Sequence, residues 1–278
     1  MINRIHHFGF LFGLILILVS CGSFPEKGSI NNISGGQISA LGHGGMGSRA
    51  LIPMNSWESL EACFELGPDG TEVDVQMTKD GVLVCYHDEK LDKTTTCHGT
   101  ISDVTWEELI SGCEYYTWSS SKSFARLDSV IAKFGSPGIM ISLDLKESGP
   151  SHAHNLRMRG QILRLAIMNP EIDFLIESWD ATGAWGFENP PENMRFFQLC
   201  ADPLKGLEIA RNEGLNGISI DYRKINKEQC AQIHAEGFYV MVYGANTASG
   251  NKEAVALSPD IIQSDRLGHL LDGLAKYN

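Results

Sequence analysis

Thr71-Glu72-Val73-Asp74-Val75-Gln76-Met77 alternates between polar and apolar side chains with a period of two, the pattern of a β-strand. Val73, Val75 and Met77 share one face, and Glu72 and Asp74 share the other. Two carboxylates side by side repel unless one is protonated or a cation bridges them. A closed barrel accommodates both faces, with the apolar one under helices and the acidic one inside, near the rim. Outward from this segment, similar runs occur at Ile38–Leu41, Met140–Leu145, Phe174–Ile176, Phe196–Leu199, Gly217–Ile220, Tyr239–Val242 and Asp260–Gln263. Helical patterns lie between them at Ser56–Leu66, Ala153–Met168, Pro203–Asn212, Lys227–Glu236 and Lys252–Leu257. Strict alternation of strand and helix implies a parallel sheet, and eight repeats imply an α/β fold of the single (β/α)8 TIM-barrel type. An open doubly wound sheet is the alternative. More than sixty residues separate the second and third strands. The turn signal Thr78-Lys79-Asp80-Gly81 followed by Val82–Tyr86 predicts an inserted hairpin there, then irregular structure over the barrel mouth.

Asp144 and Lys146 repeat the two-residue spacing on the third strand. Glu72, Asp74 and Asp144 therefore converge as three hard oxygen ligands at one rim, a set suited to Mg²⁺ or Ca²⁺. A lysine beside them can hold an anionic group as a point charge. His43 follows the first strand and His87 follows the Val82–Tyr86 run, both at expected rim positions. Imidazole titrates near neutral pH, so two histidines beside a cation and a lysine suit acid/base catalysis of phosphoryl chemistry. Tyr243 ends the seventh strand and is expected to shape the substrate pocket.

These segments together resemble the glycerophosphodiester phosphodiesterase family of (β/α)8 barrels. The residues that carry the resemblance are Gly42-His43-Gly44-Gly45, Pro53-Met54-Asn55-Ser56, Glu72-Val73-Asp74, Thr78-Lys79-Asp80-Gly81, His87-Asp88 and Asp144-Leu145-Lys146, with Gly99–Thr105 and Ile262-Gln263-Ser264-Asp265 in support. The resemblance implies that His43 and His87 form the acid/base pair. It implies that Glu72, Asp74 and Asp144 hold a divalent cation and that Lys146 contacts the phosphate of a small-molecule phosphodiester. Three positions depart from the family pattern. Gly44 replaces an arginine expected to grip phosphate, Met54 replaces a glutamate, and Asp144 replaces a longer glutamate. Arg49, or backbone N–H groups of the glycine-rich turn, are the candidates to replace the lost charge.

At the N-terminus, Arg4 precedes the apolar run Phe8–Val19, which has the length of a signal-peptide core and is short for a membrane span. Leu18-Val19-Ser20-Cys21-Gly22 resembles a bacterial lipobox, implying cleavage before Cys21 and its lipidation. The expected organisation is a signal peptide over 1–20, a Gly/Ser/Asn-rich tether over 21–37 and a barrel over 38–278, anchored to a membrane outside the cytoplasm. The net charge of −12, with no Lys/Arg cluster, argues against a nucleic-acid partner. Gly42-His43-Gly44-Gly45-Met46-Gly47 formally matches a dinucleotide fingerprint, but the helix it would open starts too late, so no nucleotide cofactor is expected. No Cys-x-x-Cys pair occurs, and Cys97 with Cys113 is the best candidate disulfide. A non-catalytic, cation-stabilised binding lipoprotein and a phospholipase acting on intact lipid are the competing functions.

Overall fold

The structure, a computed structural model, describes residues 24–25, 28–48, 50–117, 122–146, 149–180 and 187–275. Cys21 and Arg49 lie outside the described residues. The strands are β1 (Ser39–His43), β2 (Gly70–Met77), β3 (Leu83–Cys85), β4 (Ala125–Arg126), β5 (Met140–Leu145), β6 (Asp173–Ser178), β7 (Met194–Cys200), β8 (Gly217–Asp221), β9 (Tyr239–Ala245) and β10 (Ile261–Ser264). Eight of them pair in parallel in the order β1-β10-β9-β8-β7-β6-β5-β2, and the β1–β2 pairing closes the ring. The closed (β/α)8 barrel replaces the open-sheet alternative.

The helices are α1 (Trp57–Glu65), α2 (Trp106–Gly112), α3 (Leu127–Phe134), α4 (His152–Met168), α5 (Pro203–Glu213), α6 (Lys227–Ala235), α7 (Ala248–Ala256) and α8 (Leu267–Leu274). Their starts are written in the sequence. Ser56, Ser151, Asp202, Asn226 and Thr247 each accept a first-turn N–H with the side chain. These helices bury the outward faces of the strands in two large apolar clusters, one around Val73, Val75, Ile141 and Phe174 and one around Ile218, Ile220, Val240 and Ile262.

Inside the barrel, Leu41, Leu175, Phe197, Met241 and Ile261 form an apolar plug. Farther along the strands toward their C-terminal ends the interior turns polar. Glu72, Ser142, Glu177, Ser219 and Gln263 are all buried there. Beyond this belt lie His43, Asp74, Asp144, Asp221, Tyr243 and Asp265. The change from plug to belt explains why several strands run past their apolar signal. β1 ends at His43 rather than before it, and β8 ends at Asp221.

The long segment between β2 and β5 contains more order than its composition suggests. β3 pairs antiparallel with β2, Val75 opposite Cys85, and β4 pairs with β3. Thr78 Oγ1 accepts the N–H of Val82 at 2.8 Å to close the turn. The segment has a core of its own, containing Val84, Tyr86, Leu91, Ile101, Leu109, Tyr115 and Phe124. Cys97 and Cys113 form a disulfide across a sequence separation of 16. A loop of this length is worth about 3 kcal/mol in the chain-entropy account. Replacing both cysteines with serine will lower stability by about that amount. Urea unfolding of the double variant against the parent checks this, and an unchanged midpoint would show that the satellite core holds without its staple.

Candidate active site

β2 turns Glu72 and Asp74 inward by alternation, and β5 places Asp144 directly beside Asp74 in register. One carboxylate oxygen from each of Glu72, Asp74 and Asp144 lies within 4.8 Å of the others. Lys146 continues from β5, and its Nζ sits 2.9 Å from Asp74 Oδ1 and 2.5 Å from Asp144 Oδ2. The other oxygen of Asp74 accepts from Asn55 Nδ2 at 2.6 Å, while Asn55 Oδ1 accepts the backbone N–H of Asp74 at 3.0 Å. Glu72 Oε2 accepts the backbone N–H of Gly44 at 2.8 Å. Burial, reinforced by Asp74, pushes the Glu72 carboxyl well above its usual range. Burial also raises Asp144, against the opposing pull of Lys146.

The cluster fits a hard divalent cation. Its donors are all carboxylate oxygens, as Mg²⁺ and Ca²⁺ prefer. Asp144 Oδ1 is buried without a hydrogen-bond partner among the described residues, an acceptor that a cation satisfies. The Lys146 ammonium already supplies positive charge between two of the three acids.

His43 stands at the end of β1, in register beside Glu72. Its Nδ1 lies 2.5 Å from Asp265 Oδ1, and Ser48 Oγ donates to the other oxygen of Asp265. Nε2 therefore faces the acid cluster, 3.9 Å from Glu72 Oε2. Burial disfavours the charged ring, but Asp265 and Glu72 outweigh it and hold the imidazole up to about 9. The β1 loop passes so close to Asp265 that a Cβ on Gly47, at φ +79, would lie 2.2 Å from the Asp265 Cα. Glycine is required for that approach.

His87 is placed differently from His43. It follows β3 in the inserted segment, its side chain is 56% exposed, and its Nδ1 lies 3.2 Å from Asp88 Oδ1. Lys93 Nζ reaches the same oxygen at 2.9 Å. His87 is near enough to Asp144 for its charge to favour the ionised carboxylate. Tyr243 points into the mouth from β9, and burial, then Asp221 and Glu177, push its phenol up to about 12. Below the rim, Glu177 Oε1 accepts from Ser142 Oγ at 2.6 Å and from Gln263 Nε2 at 2.5 Å. Burial first, then Asp144, pushes the Glu177 carboxyl up to about 6.

Gly44 has φ +54, and a Cβ there would lie 2.7 Å from Met54 Cε and 2.9 Å from Met54 Cβ. Met54 thus covers the space above Gly44. The Gly44 N–H is spent on Glu72, and the Met46 N–H donates to Ser59 Oγ at 2.9 Å. These two amides of the glycine-rich turn point into the protein, so they do not stand in for a missing phosphate-binding arginine.

The profile of the Glycerophosphoryl diester phosphodiesterase family matches residues 43–269, from the first catalytic-candidate histidine to helix α8. The chain belongs to this family. Among similar proteins, the glycerophosphodiester phosphodiesterase of Bacillus altitudinis is 36% identical over 106 residues, covering 37% of this chain and 43% of that protein. That of Caldanaerobacter subterraneus is 34% identical over 103 residues, covering 36% and 42%. These alignments span about two fifths of each relative's own length. A phosphodiesterase of Oleispira antarctica, solved in complex with the product sn-glycerol-3-phosphate, superposes with a TM-score of 0.72 at 19% identity, over 85% of this chain and 96% of that one. A glycerophosphoryl diester phosphodiesterase of Parabacteroides distasonis gives 0.66 at 22% identity, over 86% and 87%.

Against the family pattern, the structure brings Glu72, Asp74, Asp144, Lys146 and His43 together, sets Tyr243 in the same mouth and brings His87 up from the inserted segment, where the N–H of the preceding Tyr86 donates to Asp74 O at 2.8 Å. Two residues of the site carry no role in the motif reading. Asp265 is the brace of His43, and Asn55 is the brace of Asp74. Asn55 has a positive φ of 64, and its place just before the cap Ser56 was the signal available for it.

Proposed function

We propose that this chain hydrolyses glycerophosphodiesters to glycerol phosphate and an alcohol at the barrel mouth, by divalent-cation-dependent histidine acid/base catalysis. The observation that carries this reading is the convergence of Glu72, Asp74 and Asp144 with Lys146, facing the Nε2 of a histidine braced at its other nitrogen. Family membership, and relatives named for this activity, support it.

Glu72, Asp74 and Asp144 would hold the cation. When bound, Mg²⁺ or Ca²⁺ neutralises charge on the phosphate oxygens. Lys146 adds a positive contact to the same phosphate. The oxygen of a water molecule or of a neighbouring substrate hydroxyl forms a bond to phosphorus while the bond from phosphorus to the departing alcohol oxygen breaks. One of His43 and His87 accepts the proton of the attacking group, and the other gives a proton to the departing alkoxide. If a substrate hydroxyl attacks first, water then opens the cyclic diester, and the net reaction remains hydrolysis. Tyr243 shapes the mouth, and Arg49 is a further candidate phosphate contact. Cys21 is proposed as the lipid-modified residue of a membrane-anchored, extracytoplasmic protein. Of the stretch over 21–37 expected as a tether, Asn32 and Ser34 are bonded to the barrel at Pro259 O and Asp260 Oδ1, each at 2.7 Å, so that part is docked rather than free.

The test is release of sn-glycerol-3-phosphate from glycerophosphocholine and glycerophosphoethanolamine by the purified protein, with Mg²⁺, with Ca²⁺ and with EDTA. Turnover with one of the cations, reduced at least about a hundredfold by EDTA, is the expected result. Gly44 supports a second reading, a non-catalytic binding protein of the same fold. No turnover of either diester with either cation would favour it.

A further inference from the structure

A cavity of about 500 Å³ lies beside His87, and none of the three clustered acids lines it. Leu51, Ile52, Pro53 and Met54, from the loop between β1 and α1, form one wall, and Tyr115 and Tyr116 of the inserted segment face them. Its polar end is where the chemistry is. His87 and Asp88 line it, and so does Ser48, which bonds the Asp265 that braces His43. Met54 joins groove and centre, since it lies over Gly44, whose N–H holds Glu72. Two of the three departures from the family pattern, Gly44 and Met54, thus sit at this junction, and both replace a charged residue with one that carries none.

We propose that this groove is a subsite for an apolar chain attached to the phosphodiester, so that the enzyme prefers amphipathic diesters bearing one acyl or alkyl chain to fully deacylated ones. The inference rests on the catalytic reading above and names the substrate class of that site. Three observations carry it. The groove abuts the acid cluster, because it is lined by His87, by Tyr86, whose N–H donates to Asp74 O at 2.8 Å, and by Met54, which lies over Gly44. Its volume falls in the range that takes a drug-sized ligand and far exceeds a two-carbon alcohol. Its outer walls expose apolar side chains to water, Leu51 at 92% and Tyr116 at 60%, which an apolar chain would cover.

The test compares kcat/KM of the full chain, with its preferred cation, for glycerophosphocholine and for its monoacyl derivatives of four, six and eight carbons, kept monomeric below their micelle concentration. A parallel arm uses glycerophosphodiesters of butanol, hexanol and octanol, and so tells a chain on the glycerol from a chain on the leaving alcohol. A rise of roughly two- to fourfold per methylene in either arm is expected. Leu51→Asp and Tyr116→Ser change exposed positions and are expected to flatten the rise. The readout is the ratio of long-chain to chain-free substrate with the same preparation, so a general loss of activity cancels.

Turnover of the chain-free diesters with no dependence on chain length would overturn the subsite and leave the catalytic reading intact. No turnover of any diester overturns the catalytic reading. In that case calorimetric titration with the eight-carbon monoacyl derivative against glycerophosphocholine decides the groove by itself, and equal affinity sinks it. A groove filled instead by a second copy of the chain would show as a dimer in sedimentation together with flat kinetics, which also overturns the proposal.

Discussion

Glu72→Gln will raise the stability of the cation-free protein while abolishing cation-dependent turnover. Three carboxylates converge within 4.8 Å of one another, and one ammonium, Lys146, stands between two of them. Burial and the Asp74 charge raise the Glu72 carboxyl, so its ionised form is disfavoured in the fold. Glutamine removes that charge and keeps an oxygen to accept the Gly44 N–H. About 1 kcal/mol of relieved repulsion moves Tm by roughly 2–4 °C in a domain of this size. The same change deletes a cation ligand, for which a loss of more than about a hundredfold in kcat/KM is expected.

The pH dependence of the cation-free protein has a definite sign. A carboxyl whose folded-state pKa is raised binds more protons in the native state, so its contribution falls as pH rises above about 4.5. His43, raised from 6.5 to about 9, contributes stability in full below 6.5 and loses it as pH climbs through about 9. Both act in one direction, so Tm without cation should fall steadily from about pH 5 to pH 9. Saturating cation opposes this. At a hundred times its Kd a ligand adds about 2.7 kcal/mol, roughly 5–10 °C here. Differential scanning calorimetry of parent and Glu72→Gln, with and without Mg²⁺ or Ca²⁺ at several pH values, checks each limb. A parent Tm unmoved by either cation, or a Gln variant less stable than the apo parent, would remove the cation site from the reading.

The acids were legible because a strand's period of two exposes them. Glu72 and Asp74 lie two apart in one run, and Asp144 with Lys146 repeats the spacing. Eight apolar runs alternating with helices were enough for the barrel, and the polar caps marked the helix starts. Strand ends were misread where the barrel interior becomes polar. His43 and Asp221 belong to strands, but their side chains break the apolar pattern that locates them. The bracing of His43 by Asp265 spans 222 positions and exists only because β10 closes against β1. The satellite core of the inserted segment was hidden for a similar reason. Val84, Leu91, Ile101 and Leu109 are spaced without a helical or strand period, and their common environment emerges only when the chain folds back on itself. The exposure of His87 follows from that same segment, which carries it just past β3 rather than at the end of a barrel strand.

Asp265→Asn is expected to lower kcat by about a hundred- to ten-thousandfold with a much smaller change in KM. The carboxylate is buried and holds His43 Nδ1, so it sets which nitrogen carries the proton and keeps Nε2 aimed at the acid cluster. An asparagine has nearly the same shape but can present an N–H to the ring, and an imidazole turned to the wrong tautomer has lost its role in proton transfer. The charge matters as well as the geometry. Asp265 is one of the groups that hold His43 up to about 9 in the cation-free site, and without it the ring's pKa must fall. In turn, burial of Asp265 is outweighed by its hydrogen bond and charge pairing with His43, which lower its own pKa, so the pair adds stability that is present above about pH 3.8 and lost as pH falls further. A merely structural role would show as a lower Tm with an unshifted titration. The positioning role instead requires the NMR titration of the His43 ring in the cation-free variant to move below about 9 and the corresponding limb of the kcat profile to move to lower pH. Ser48→Ala, which leaves the carboxylate in place and removes only the hydroxyl on its far oxygen, should shift both in the same direction by less. An Asp265→Asn enzyme with parental kcat and an unmoved His43 titration would show that Asp265 does not position this histidine for catalysis.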